Sequence, residues 1–153
     1  MPVNKIVAHY SNGAILKGAT IDFFPNKPVF HLIGGGILGE EVSRIWVDNL
    51  KGVFFVKSYD GNRNYNEIKE FVNNPSAGKR IKVKFKDGEV ICGYTHAINF
   101  ENLGFFVVPI DPKSNNERIF AIFSSIKKLE TDYIFLLKRV GFEKNQDLWD
   151  KFF

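Results

Sequence analysis

One glycine pattern in the sequence has the spacing of a phosphate-binding loop. Gly34-Gly-Gly-Ile-Leu-Gly39 matches G-x-G-x-x-G and follows the apolar run 29–33. In a dinucleotide-binding fold these glycines allow close approach of the backbone to a pyrophosphate, and a helix follows them. Residues 40–50 have apolar positions at helical spacing, but a repeat in the chain aligns them with a strand. A hairpin loop is therefore the favoured interpretation, with dinucleotide binding at Gly34–Gly39 as a weaker alternative.

The residue types that usually perform catalysis do not form a recognisable set. His9, His31 and His96 lack the spacing of metal ligands, and Glu40-Glu41 has no general-acid partner. The single cysteine, Cys92, excludes a disulfide within the chain. The sequence thus predicts no enzyme activity, no cofactor and no metal site.

Four cations alternate with apolar residues near the middle of the chain. Arg80, Lys82, Lys84 and Lys86 alternate with a core-forming series in the run from 80 to 86. On a strand, this pattern places the charges on one face and the apolar side chains on the other. The face is either a nucleic-acid contact, RNA in particular, or a solvated strand protected by lysine.

Two loops have compositions that suit recognition on a rigid scaffold. The candidate partner-binding residues are Asn26, Lys27, Asn115, Asn116 and Arg118. Asparagine and proline also favour turns for purely local reasons, which is the alternative interpretation of both loops.

An internal repeat indicates the elements that position these residues. The segment from Lys5 to Gly13 aligns with Arg80 to Gly88, and the offset of 75 holds to Ile33. After a loop of different length, Arg44-Ile-Trp-Val47 aligns with Arg118-Ile-Phe-Ala121, and Leu50-Lys51 with Ile126-Lys127. Both copies carry a hairpin signal, Asn12-Gly13 and Asp87-Gly88, which predicts a type I′ turn. We infer an internal duplication.

Each copy contains five short apolar runs separated by turn residues, as in a small β-barrel. The predicted strands are 5–11, 14–23, 28–33, 43–48 and 51–57, then 80–86, 89–98, 104–109, 117–123 and 125–130. Helical spacing of apolar residues predicts a connecting helix near 64–73 and a helical tail after 131.

The run Arg80-Ile-Lys-Val-Lys-Phe-Lys-Asp-Gly-Glu-Val-Ile-Cys-Gly93 resembles the opening of Sm-like and SH3-like barrels. The chain is also similar to an uncharacterised bacterial family of this two-unit type. The similarity lies in Lys17–Pro28, Leu50–Lys57, Gly104–Pro112 and Ser114–Arg118. This resemblance implies tandem small barrels and no known activity.

Composition supports a β-rich globular protein: 15% of residues are aromatic, and the net charge is +4. The predicted fold is mainly β with minor α: two tandem small SH3-like or Sm-like barrels at 3–60 and 79–130. A linker with a helix covers 61–78, and a helical tail covers 131–153. We expect a cytoplasmic, non-catalytic binding or scaffolding module with no membrane segment. It would contact an unidentified protein partner, or nucleic acid, through barrel edges and loops, and those edges also allow self-association.

Overall fold

The computed structural model describes residues 3–34, 41–61, 64–67, 78–96 and 98–131. Ten β-strands account for most of these residues. The strands are β1 (Asn4–Tyr10), β2 (Ile15–Thr20), β3 (Val29–Ile33), β4 (Val42–Trp46), β5 (Leu50–Val56), β6 (Lys79–Phe85), β7 (Val90–Thr95), β8 (Gly104–Pro109), β9 (Asn116–Ile122) and β10 (Ile126–Thr131). Each lies within a few residues of its predicted position, because turn residues and two-residue periodicity mark strands locally.

The strands form one open antiparallel sheet, in the order β10-β6-β7-β8-β9-β5-β1-β2-β3-β4. The prediction of two tandem small barrels is therefore wrong. The cause is the pairing of β5 with β9, which joins the first half of the strands (β1–β5) to the second half (β6–β10) edge to edge. In a closed barrel, the edge N–H and C=O groups of β5 and β9 would form hydrogen bonds within their own half. Here they form hydrogen bonds with the other half.

The two halves repeat the same hydrogen bonds. Gly13 N donates to Tyr10 O at 3.0 Å, and Gly88 N donates to Phe85 O at 3.0 Å. These glycines have φ of +93° and +95°, and no other residue type has positive φ in the described part of the chain. The hairpins therefore use a type I turn closed by a glycine bulge, not the predicted type I′ turn, which needs positive φ at two positions.

Strand pairing also corrects the alignment of the fourth strands. Phe30 pairs with Ile45 in the first half, and Phe105 pairs with Ala121 in the second. Ile45 therefore corresponds to Ala121, whereas the sequence alignment matches Ile45 with Ile119, two residues earlier. A two-residue shift keeps every side chain on the same face of a strand, so periodicity alone does not detect it.

The hydrophobic core has two parts, and the central strands contribute to both. On β5, Val53 and Phe55 pack in one cluster while Phe54 and Val56 pack in the other. On β9, Ile119 and Phe120 are divided in the same way. All seven residues of β5 are buried. Burial of each such side chain contributes roughly 1.5–3 kcal/mol, so the junction between the halves is a major part of the core.

The predicted helices find no support in the described residues. Residues 64–67, the start of the predicted helix 64–73, contain a turn but no helix, and 68–73 lie outside the described residues. Of the predicted tail, Thr131 belongs to β10, and 132–153 lie outside the described residues. The described helical segments are two short 3-10 turns, Val47–Asn49 and Phe123–Ser125. No described helix has the length and apolar character needed to cross a bilayer.

A nearly buried lysine links the two halves. Lys51 is 8% exposed and is the extra residue of a bulge where β5 pairs with β1. Its Nζ lies 2.7 Å from Asp87 Oδ2, forms an ion pair with Glu89, and lies 4.9 Å from the centre of the Phe85 ring. Burial alone would lower the pKa of Lys51, but hydrogen bonds to Asp87 and Glu89 outweigh it and raise that pKa above its usual value. The hydrogen bond from Lys51, with one from the Glu89 backbone, holds the pKa of Asp87 below its usual value.

We expect Lys51→Met to lower the free energy of unfolding by about 1–2 kcal/mol at pH 7, because it removes hydrogen bonds to charged groups while keeping apolar bulk. Asp87 has a depressed pKa in the folded protein. The ion pair therefore stabilises the fold above the unfolded pKa of about 3.9, and the contribution is lost as the pH falls through the folded value. Urea denaturation at pH 7 and pH 3 should show a difference between wild type and variant that shrinks at pH 3.

Lys127 provides the matched control, since it is the bulged residue at the corresponding position of β10 and is exposed. Lys127→Met should change stability by less than about 0.5 kcal/mol. An equal loss for both variants, or a Lys51→Met effect that does not depend on pH, would contradict the role of the ion pair.

Candidate functional site: the exposed ribbon of β3 and β4

The hairpin of β3 and β4 ends the sheet and presents one face to solvent. Residues directly opposite each other in an antiparallel pair share a face. On the outward face the pairs are Val29 with Trp46, His31 with Arg44, and Ile33 with Val42. We call these six residues the outer ribbon.

The outer ribbon is apolar at both ends. Val42 is 61% exposed, Trp46 51% and Ile33 40%. The opposite face of the same hairpin is core, with Phe30, Leu32 and Ile45 at most 2% exposed. Within the described residues, β4 has one strand neighbour, β3, so no described strand pairs with the backbone groups of its other edge, which lie beside the apolar side chains.

The corresponding face of the second half is covered. On β8 and β9 the matching cross-strand pairs are Gly104 with Ile122 and Phe106 with Phe120. Phe106 lies 5.1 Å from Phe120, 5.9 Å from Phe55 and 6.2 Å from Phe23, measured between ring centres. In the second half, side chains of the first half, Phe23 and Phe55, thus cover the face whose counterpart on β3 and β4 is exposed.

Charge at the centre of the outer ribbon is only partly compensated. Asp22 Oδ2 lies 2.7 Å from His31 Nδ1, and Asp22 Oδ1 accepts hydrogen bonds from His31 N at 2.9 Å and Thr20 Oγ1 at 3.0 Å. Slight burial would raise the pKa of Asp22, but the hydrogen bonds from the His31 backbone and side chain lower it overall. Arg44 makes no ion pair with any described residue.

The other end of the sheet has a different surface. The predicted alternation on β6 is confirmed, since Ile81, Val83 and Phe85 are fully buried while Arg80, Lys82 and Lys84 are exposed. Lys86 lies in the hairpin that follows. On the adjoining β10, Lys128 is opposite Lys84 and Glu130 is opposite Lys82. This end is a charged face rather than an apolar one.

The two candidate recognition loops occupy different environments. Asn26 and Lys27 are exposed in a turn closed by Lys27 N and Phe24 O at 3.1 Å, with Lys27 Nζ 4.7 Å from the centre of the Phe24 ring. Asn115 instead ties the halves together: its Oδ1 accepts from Ser58 N at 3.0 Å and its Nδ2 donates to Ser58 O at 2.8 Å.

Asn116 and Arg118 also lie at the junction, where they pair with Val56 and Phe55. The Arg118 guanidinium lies 4.2 Å from the centre of the Phe55 ring and 4.5 Å from that of Phe106. Partial burial between these rings lowers the pKa of Arg118. The side chain therefore packs against the aromatic cluster that joins the halves.

The described residues also bear on metal binding, which the sequence does not predict, and on dinucleotide binding, the weaker alternative. In these ranges no group of three His, Cys, Asp or Glu side chains is placed to hold a metal ion. Of the glycine pattern, 35–39 lie outside the described residues, and the segment after it is strand β4, not the helix that a dinucleotide site requires.

A cleft of about 310 Å³ lies between residues 64–67 and the strands β7 and β9. Its two carboxylates are engaged, since Glu67 accepts from Ser114 Oγ at 2.5 Å and Glu89 binds Lys51. Tyr65 closes the same region by donating to Asp111 Oδ2 at 2.5 Å, which raises the pKa of Tyr65. The cleft therefore has no free acid–base pair among its described residues.

Sequence reasoning missed the outer ribbon because the two halves were treated as equivalent barrels. Two signals pointed to it. Val42, Arg44 and Trp46 alternate with Ser43 and Ile45, which gives β4 an unusually apolar outward face. The run Leu50-Lys-Gly-Val-Phe-Phe-Val56 lacks alternation, which is typical of a strand buried on both faces.

The junction contacts lead to a prediction for the loop residues. Asn115→Ala with Arg118→Ala should lower the free energy of unfolding by about 2 kcal/mol, since it removes two hydrogen bonds and two cation–π contacts. Asn26→Ala with Lys27→Ala is the matched control and should change stability by less than about 0.5 kcal/mol. Thermal and urea denaturation measure both. Unchanged stability in the first variant would show that those side chains are not structural ties.

Comparison with known proteins identifies the chain only at the level of a family. No curated protein and no solved structure matches it. A family model described as a family of unknown function, DUF6982, matches residues 3–131. This range includes all ten strands, and so both the junction and the outer ribbon. The chain therefore belongs to the DUF6982 family.

Proposed function

We propose that this protein is a non-catalytic binding module that takes up a partner protein strand along the open edge of β4. The observation that carries the proposal is the outer ribbon, which is exposed and apolar beside a strand edge that has no neighbour among the described strands. Its counterpart in the second half is instead covered by aromatic side chains of the first half, Phe23 and Phe55. An incoming strand gains main-chain hydrogen bonds at the edge and apolar contacts on the face.

The contrast between the two outer edges supports this assignment. Natural proteins usually protect an edge strand with charges, and β10 carries Lys127, Lys128 and Glu130 in that way. On β4 the single outward charge is Arg44, between Val42 and Trp46. An apolar, unprotected edge of this kind is an aggregation hazard unless a partner covers it.

From the resemblance of the sequence motifs, we extend the proposal to a bacterial and cytoplasmic setting. A single cysteine, which is buried, means that the described fold uses no disulfide, as suits a reducing compartment.

Selection of twelve-residue peptides displayed on phage tests the proposal. Peptides enriched on the wild-type protein should protect the backbone amides of residues 42–46 from hydrogen exchange. Val42→Lys with Trp46→Lys should abolish their binding without changing the melting temperature, because both side chains are exposed. Ile15→Lys with Val108→Lys is the control, since those apolar side chains are also exposed but lie on other strands. Protection elsewhere, or equal loss in the control, would contradict binding at β4.

A second candidate function is binding of nucleic acid at the charged face of β6 and β10. The observation that favours it is that Lys84 lies directly opposite Lys128. Like charges in this position destabilise a sheet. Glu130, whose Oε1 lies 3.9 Å from Lys128 Nζ, offsets part of the repulsion, and a bound phosphate would relieve more of it.

For this second function, Lys82→Glu with Lys84→Glu should weaken binding of labelled single-stranded RNA and DNA alike and flatten its salt dependence. Lys27→Glu with Lys113→Glu is the matched control, because it makes the same change in net charge at exposed positions on other elements. Fluorescence anisotropy at several salt concentrations measures both. Equal weakening by the two variants would show an effect of net charge and not of this face.

A further inference from the structure

We infer that the strand received by β4 is an extended segment of another protein with an acidic residue at its centre and apolar residues two positions to either side. The inference rests on the proposed function and names the chemistry of its partner. It follows from the pairing of β9 with β5 at the junction between the halves. Because β9 and β4 are the fourth strands of their halves, this pairing shows how β4 can accept an antiparallel neighbour.

The register of β5 on β9 serves as the template. Val53 is opposite Phe120, and Phe55 is opposite Arg118. Phe120 corresponds to Arg44 and Arg118 to Val42, because the strand pairs of the two halves match. A strand placed on β4 in this register therefore presents one residue opposite Arg44 and its second neighbours opposite Val42 and Trp46.

Those three positions set the required side chains. The residue opposite Arg44 meets a cation that has no ion-pair partner among the described residues, beside His31, whose own partner is Asp22. An acidic side chain there gains a cross-strand ion pair. Its second neighbours meet Val42 and Trp46, which are 61% and 51% exposed, so apolar side chains gain by covering them.

A second copy of this chain does not supply such a strand from the opposite end of its sheet. In the matched register, β10 would place Glu130 where β5 has Phe54, and Lys128 where β5 has Gly52. The neighbouring strand would place Lys82 where β1 has Val7. At the internal junction Val7 and Phe54 are buried in the core. Head-to-tail assembly would therefore remove Lys82, Glu130 and Lys128 from water, and the desolvation cost of buried charges can exceed the gain from pairing Lys82 with Glu130.

Pairing of two β4 edges is also disfavoured. An isologous antiparallel pair centred on the strand sets Arg44 of one copy against Arg44 of the other, and like charges opposite each other destabilise a sheet. The occupant that satisfies both the apolar and the cationic parts of the outer ribbon is therefore an acidic–apolar strand from a different protein.

The test uses three tryptophan-free peptides, Thr-Val-Thr-Xaa-Thr-Phe-Thr, in which the central residue is Glu, Gln or Lys. Titration of the ¹⁵N-labelled full chain to millimolar peptide, followed by NMR, should shift the amides of residues 42–46. The Glu peptide should bind about tenfold more tightly than the Lys peptide, with Gln between them. Tryptophan fluorescence gives a second measurement, and Trp46→Phe identifies the part of the signal that comes from Trp46.

A charge reversal separates the inference from the proposed function. Arg44→Glu should bind the Lys peptide more tightly than the Glu peptide, while its unchanged melting temperature shows that it folds. Equal binding of all three peptides at β4 would overturn the acidic preference and leave strand addition intact. No shift at β4 with any peptide would overturn both. A concentration-dependent dimer in ultracentrifugation that Arg44→Glu with Trp46→Lys abolishes would identify a second copy as the occupant and overturn the inference.

Discussion

The pairing of β5 with β9 is the interaction on which the rest of the structure depends. It joins two five-strand halves into one sheet and requires both faces of each central strand to be apolar. Each half then completes the core of the other, since Phe54 packs with the second half and Phe120 packs with the first. An arrangement of this kind couples the stability of the halves, because neither buries its aromatic face alone.

The same pairing determines the properties of the two outer edges. The strands that correspond to β5 and β9 are β10 and β4, and each has one neighbour among the described strands. The outward side of β10 is charged, as is typical of edge strands that do not pair with another chain. The outward side of β4 keeps Val42 and Trp46, so one outer edge is charged and the other is largely apolar.

Polar side chains connect the two halves at the junction. Lys51, on a bulge of β5, and Asn115, one of the candidate recognition residues, both connect one half to the other. The Arg118 guanidinium similarly packs against two aromatic rings. The side chains at this junction fix how the halves meet, whereas the charge on Arg44 is not used in this way within the described structure.

Local pattern in the sequence determined the ten strands, the two glycine hairpins and the faces that Ile81, Val83 and Phe85 turn to the core. These features depend on periodicity and turn chemistry over a few residues, which a single sequence displays. The tertiary structure alone decided that β5 pairs with β9 instead of closing a barrel, and that Ile45 corresponds to Ala121. It also decided that Asn115 and Arg118 lie at a junction while Val42 and Trp46 lie at an exposed edge. The physical reason is that alternation specifies which face of a strand is apolar, but the choice of hydrogen-bonding neighbour is made by segments distant in the chain.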